Sequence, residues 1–374
     1  MNEHAYAEVE SSLLRQAFRD PESTNVLSVE EANRLLRAAR RYEILPRLSR
    51  HLEHTSRSAL LAAHLDAARN VAMSRERSLR QQVEHLRQTL VGVVEKVVLL
   101  KGAAYLLSEL PFARGRRVQD LDILVARRDL GVVEQRLCNT GWETLRPNEY
   151  DENYYRRWMH ELPPFRHQER GTVLDVHHTI LPITGRVHPN ADLLLDDAVP
   201  VETRSPLCVL RGDDMILHAA AHVFQDGQFD HGFRDLLDLD GLLRHLGAEK
   251  EPWLRLVERA KAHELERSLY YAARSCSRVL GTPVPEDLSS HFDPRPAGRV
   301  RWAIMARLIE SSSIATRRDG YSMTGRVANG LLYLRSHWLR MPLRILIPHL
   351  LHQMRRRLQL WSKRRREKRD RKRI

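Results

Sequence analysis

The residues best suited to chemistry are Asp120 and Asp122, set in the run Val118-Gln119-Asp120-Leu121-Asp122-Ile123-Leu124-Val125. An apolar run of this kind reads as a buried strand, and side chains at i and i+2 leave a strand on one face. The two carboxylates would project together, where mutual repulsion and lost hydration are costly without a cation. Magnesium, which takes carboxylate and phosphate oxygens, answers that requirement. Asp175, in Thr172-Val173-Leu174-Asp175-Val176-His177, is the expected third ligand, brought alongside by a neighbouring strand. Three carboxylates suffice for two metals about 3.5–4 Å apart, which clamp the attacking and leaving oxygens of an in-line phosphoryl displacement. Asp175 is also a candidate general base.

Leu99-Leu100-Lys101-Gly102 closes the preceding strand. A glycine between strand and helix lets backbone amides approach a phosphate at the helix N-terminus. Lys101, with Arg114, Arg116 and Arg117 of the following loop, would neutralise the remaining phosphate charge. His218 and His222 have the i, i+4 spacing of metal-binding pairs. No HExxH pattern accompanies them and their helix is otherwise apolar, so they read as buried or cleft-lining histidines. His160, ahead of Pro163 and Pro164, is a candidate for an acceptor pocket. Arg234 and Asp238, also i, i+4, read as an ion pair within one helix.

Together the segments LLKGAAYLLSEL…GRRVQDLDILV, GTVLDVHH and DDMILHAAAHVF…FRDLLDLDGLL resemble the bacterial nucleotidyltransferase family of the polymerase-β-like superfamily. The matching positions are Lys101 and Gly102, Arg116 four residues before Asp120, then Asp122, Asp175 and His177. Residues 30–280 carry the resemblance, most strongly 97–126. It implies transfer of a nucleoside monophosphate from a triphosphate, ATP being the expected co-substrate, to a hydroxyl acceptor with release of pyrophosphate. It further implies two Mg²⁺ ions on Asp120, Asp122 and Asp175, and nucleotide contacts from Lys101, Gly102, Arg116, Arg117 and His177. A small molecule or biosynthetic intermediate is the expected acceptor. RNA or protein as acceptor, and a catalytically silent nucleotide-binding module, are the alternatives. The chain departs from the superfamily in two places. Lys-Gly replaces the usual Gly-Ser, at a longer distance from Asp120, and His178 follows His177 where many relatives place an aromatic.

The elements that must position these residues read as an α+β fold: a small mixed β-sheet nucleotidyltransferase core flanked by N-terminal helices and a larger C-terminal helical region. The expected division is 1–90 (helical), 91–205 (the αβ core), 206–330 (helical) and 331–374 (a basic amphipathic tail). Ser28-Val29-Glu30-Glu31 has capping-box spacing, and residues 56–90, free of Pro and Gly, read as one long helix. The strands expected are 93–100, 118–125 and a hairpin of 165–167 with 172–177. Residues 130–140 read as a helix, as do 213–224, 233–246, 252–280 and 298–312, and the final stretch is interrupted by Pro342 and Pro348.

With 374 residues, 42% hydrophobic and 29% charged, the composition is that of a folded protein and excludes wholesale disorder. The polar N-terminus and the lack of any stretch near ~18 uncharged apolar residues give a cytoplasmic expectation, peripheral to a membrane at most. Cys138, Cys208 and Cys276 form no CxxC pair and read as reduced thiols. Of the formal charge of +13, ten units lie in 355–374, where twelve Lys/Arg face two acidic residues. Three readings of this tail stay open: contact with an anionic membrane surface, contact with RNA, or a loose end docked on the body.

Overall fold

The computed structural model describes residues 3–55, 58–145, 149–202, 205–226, 232–292, 296–313, 323–352 and 354–355. All of the basic tail 355–374 except Arg355 lies outside them.

Four helices come first: α1 (Glu3–Arg19), α2 (Val29–Arg41), α3 (Leu45–His51) and α4 (Ala59–Leu90). The capping box at α2 is formed. Ser28 Oγ accepts from the Glu31 amide, and Glu31 Oε2 accepts from the Ser28 amide at 2.9 Å. The 32-residue α4 is the long helix expected, with Ser58 capping its start.

The core follows as β1 (Val97–Leu99), α5 (Lys101–Leu107), β2 (Leu121–Leu124), α6 (Leu130–Asn139), β3 (Trp142–Thr144), α7 (Glu149–Trp158), β4 (Phe165–His167), β5 (Val173–His177), α8 (Ala191–Asp196), β6 (Val199–Pro200) and β7 (Leu207–Val209). The strands make one mixed sheet in the order β3-β4-β5-β2-β1-β7-β6. The pairs β1–β7 and β2–β5 are parallel; β1–β2 and the β4–β5 hairpin are antiparallel. Every residue of β1 and β2 is buried, as in strands covered by helices on both faces. The fold is α+β.

Both central strands are shorter than their apolar runs. β1 occupies only Val97–Leu99 of the expected 93–100, after a left-handed turn at Gly92 (φ 74°). β2 begins at Leu121, so Asp120 lies on the bend just before it. A strand extends only as far as a neighbour supplies backbone partners, and β5 pairs with β2 from Leu121 onward, β1 only at Ile123 and Leu124. The loop ahead of β2 is pinned at Gly115 (φ 80°), where a Cβ would come within 2.5 Å of the Pro46 carbonyl oxygen.

The remaining helices are α9 (Gly212–Asp226), α10 (Gly232–Leu246), α11 (Lys250–Ala262), α12 (Glu266–Leu280), α13 (Pro296–Ser313) and α14 (Met323–Arg340). The single helix expected over 252–280 is two, broken where Glu264 turns left-handed (φ 58°). Neither Gly nor Pro marks that break. The final stretch is interrupted at Pro342, while residues 343–352 continue helical through Pro348.

One buried cluster joins all these parts, from Leu14 and Leu36 through Val98, Ile123 and Val176 to Leu269 and Leu332. Burial of each such side chain contributes about 1.5–3 kcal/mol, so helices on either side of the sheet hold the strands in place. Among the described residues no helix is long and apolar enough to cross a membrane.

Candidate active site

Because β2 and β5 run parallel and adjacent, Asp122 and Asp175 occupy paired positions. Paired residues share a sheet face, so the two carboxylates stand side by side, with Asp120 one bend ahead. Leu121 and Ile123 alternate to the other face and are fully buried.

Asp122 is the centre of the cluster. Its Oδ1 accepts from Lys101 Nζ at 2.7 Å and from His177 Nε2 at 3.2 Å. Burial would raise this acid, but Lys101 and His177 outweigh it and hold Asp122 ionised. Burial likewise works against a charged Lys101, and Asp122 outweighs it there too. Lys101 sits in the left-handed region (φ 47°) between β1 and α5, a conformation costly for a residue with a Cβ and frequent at functional sites.

Among the described residues Asp175 Oδ1 has no such partner. That oxygen is buried without a hydrogen bond, and burial, then the Asp122 and Asp120 charges, push the acid up to about 7. Asp120 is exposed on its bend, and partial loss of solvent, then the Asp122 charge, raise it. Three crowded carboxylates, one with a buried orphan oxygen, form a donor set that fits a hard divalent cation. Asp120, Asp122 and Asp175 are the residues that would hold it.

The histidines close the site. His177 is buried, and burial pushes its imidazole down against the pull of Asp122. Its Nδ1 faces Glu161 Oε2 at 3.4 Å, and its ring lies 5.1 Å from that of His160. His218 is buried on α9 and lowered well below its ordinary value by burial, then by Lys101, His222 and His177. α9 therefore brings a histidine within electrostatic reach of the same cluster.

The loop arginines are placed differently from the expectation of a phosphate cradle. Arg116 is partly buried, with its Nε donating to Asp238 Oδ2 at 2.7 Å. Arg47 of α3 holds the other oxygen of Asp238, so Asp238 ties α3, the loop before β2 and α10 together. Arg234 pairs with Asp235 at 3.3 Å instead of Asp238. The two arginines from distant segments take that carboxylate because burial demands full charge compensation. Arg117 pairs with Glu43 at 2.7 Å. At Gly102 a Cβ would strike Arg116 Nη1 and come within 2.5 Å of Val118 Cγ2. Close packing of the Arg116 side chain thus requires a glycine there whether or not a phosphate binds.

Glu161 and the Arg47–Asp238 contact had no signal in the sequence. Glu161 is a lone acid beside prolines, and Arg47 is 191 positions from its partner. A separate cavity of about 680 Å³ lies among Phe18, Arg47, His51, Phe112, Arg114 and Arg244, and none of the three carboxylates lines it.

No curated protein and no solved structure matches the chain. Residues 28–281, which hold every residue of this site, match the family described as uncharacterised nucleotidyltransferase, and the chain belongs to that family.

Proposed function

We propose that this protein transfers a nucleoside monophosphate from a nucleoside triphosphate, ATP in the first instance, to a hydroxyl of a small molecule or biosynthetic intermediate. Family membership supports nucleotidyl transfer. The observation that carries the metal-dependent reading is the pairing of Asp122 with Asp175 across parallel strands, with an Asp175 oxygen buried and lacking a donor.

In this reading the acceptor oxygen attacks the α-phosphorus, the bond to the β-phosphate oxygen breaks, and pyrophosphate leaves. Asp120, Asp122 and Asp175 would hold magnesium, which when bound supplies positive charge to the triphosphate oxygens. Lys101 keeps Asp122 ionised and adds a further positive charge at the site. Asp175 is the group that would receive the acceptor's proton and pass it to solvent. His177 Nε2 and Lys101 Nζ both hold Asp122 Oδ1, so the carboxylate is oriented before substrate arrives.

The test is incubation with each α-labelled triphosphate, magnesium and a cell extract. Label should appear on an acceptor with wild type and vanish in Asp120→Asn/Asp122→Asn, with folding retained. If no triphosphate gives transfer and none raises the melting temperature with magnesium, the reading is wrong.

A further inference from the structure

We propose that His160, Glu161 and His177 form a second metal site, distinct from the three carboxylates, that takes a divalent transition metal of the zinc type. One ligand atom from each of the three lies within 4.8 Å of the others. The set is two imidazoles and one carboxylate, which suits zinc and leaves a fourth position open for an oxygen ligand. Magnesium prefers an all-oxygen shell, so the donor chemistry separates the two sites.

The tautomer of His177 points the same way. An ionised Asp122 can only accept, so His177 Nε2 carries the ring proton shared with it at 3.2 Å. Its Nδ1 is buried, makes no hydrogen bond, and faces the Glu161 carboxylate at 3.4 Å. A cation placed between these two atoms would bond to both. The carboxylate–histidine–metal relay, in which the far ring nitrogen donates to an acid, is the usual support for a ligating imidazole. Here Asp122 fills that supporting role.

Backbone contacts hold the donors in place. Glu161 makes an antiparallel bridge to His177. The His178 amide donates to the His160 carbonyl at 2.9 Å, and the Leu162 amide to Val176 at 2.9 Å. All three donors are thus held on two paired backbones, the preorganisation a metal site needs.

The experiment uses the full chain, stripped with a chelator and titrated with Co²⁺ and then Zn²⁺. Visible absorption of bound cobalt and calorimetry are the readouts. Expected is tight binding of about one equivalent of cobalt with displacement by zinc and not by excess magnesium. Glu161→Gln and His160→Gln should each weaken zinc at least tenfold, and Asp122→Asn should do so by about 10–100-fold through the supporting bond. Asp120→Asn/Asp175→Asn should leave zinc binding unchanged. The proposal falls if wild type shows no saturable cobalt band, or if zinc affinity survives Glu161→Gln and His160→Gln. It falls equally if the Asp120/Asp175 variant loses zinc, since the ion then belongs to the carboxylates. No nucleotide enters the assay, so failure of the transferase reading leaves this result independent.

Discussion

Lys101 Nζ stands 2.7 Å from Asp122 Oδ1, and the two side chains are 22% and 5% exposed. The ammonium is the nearest positive charge to a carboxylate that is otherwise hydrogen-bonded only by His177 among the contacts described. Removing one member of a buried pair strands the other.

Lys101→Met should therefore lower stability by about 3 kcal/mol in chelator, the low end for a broken buried pair. Magnesium should restore much of that loss by replacing the missing charge. Thermal melts with and without magnesium check both halves, and the KM for the triphosphate should rise.

Asp175→Asn should act in the opposite sense on stability. It removes one of three crowded negative charges, so in chelator its melting temperature should match or exceed wild type. Nucleotidyl transfer should nevertheless fall by a factor of about a hundred or more, the scale of losing a positioned acid–base group. A variant that melts lower and keeps activity would contradict the placement of Asp175.

Asp238→Asn should cost about 3–5 kcal/mol, since Arg47 and Arg116 both lose a buried counter-charge. Burial would raise Asp238, but Arg116 and Arg47 outweigh it and hold the acid below its ordinary value. A depressed acid contributes stability above its unfolded value, and that contribution is lost as pH falls through the folded one. Wild type should thus lose stability below about pH 4 more steeply than Asp238→Asn, as acid-range melts will show.

Gly102→Ala should destabilise by about 1–3 kcal/mol through overpacking against Arg116 and Val118. Pairing it with Arg116→Ala should recover part of the steric loss. A double-mutant cycle on melting temperature measures the coupling.

Deleting 355–374 separates the acceptor classes. Unchanged turnover on a small acceptor removes the basic tail from the reaction, whereas loss of activity with steep salt dependence points to RNA.

Much of the sheet was legible because its hydrophobic runs are short and well punctuated. The hairpin of Phe165–His167 with Val173–His177 and the burial of β2 follow from alternation and from the turn at Gly171. The pairing of Asp122 with Asp175 was within reach for the same reason. That Asp120 sits off the strand was not, since strand length depends on what the neighbouring strands, β5 above all, offer across the sheet. The Arg116–Asp238–Arg47 contact was hidden more deeply. Helical spacing pointed Asp238 at Arg234, and only tertiary packing brings in α3. Glu161 carried no pattern at all, because its meaning comes from the bridge to His177.

The hold of one carboxylate on Arg47 and Arg116 also limits how the chain can be cut. A fragment trimmed to the sheet would keep Arg116 and discard both the acid that neutralises it and the helix beyond. Such a piece should emerge from expression insoluble, and any smaller working enzyme must keep α3 and α10 together with the strands.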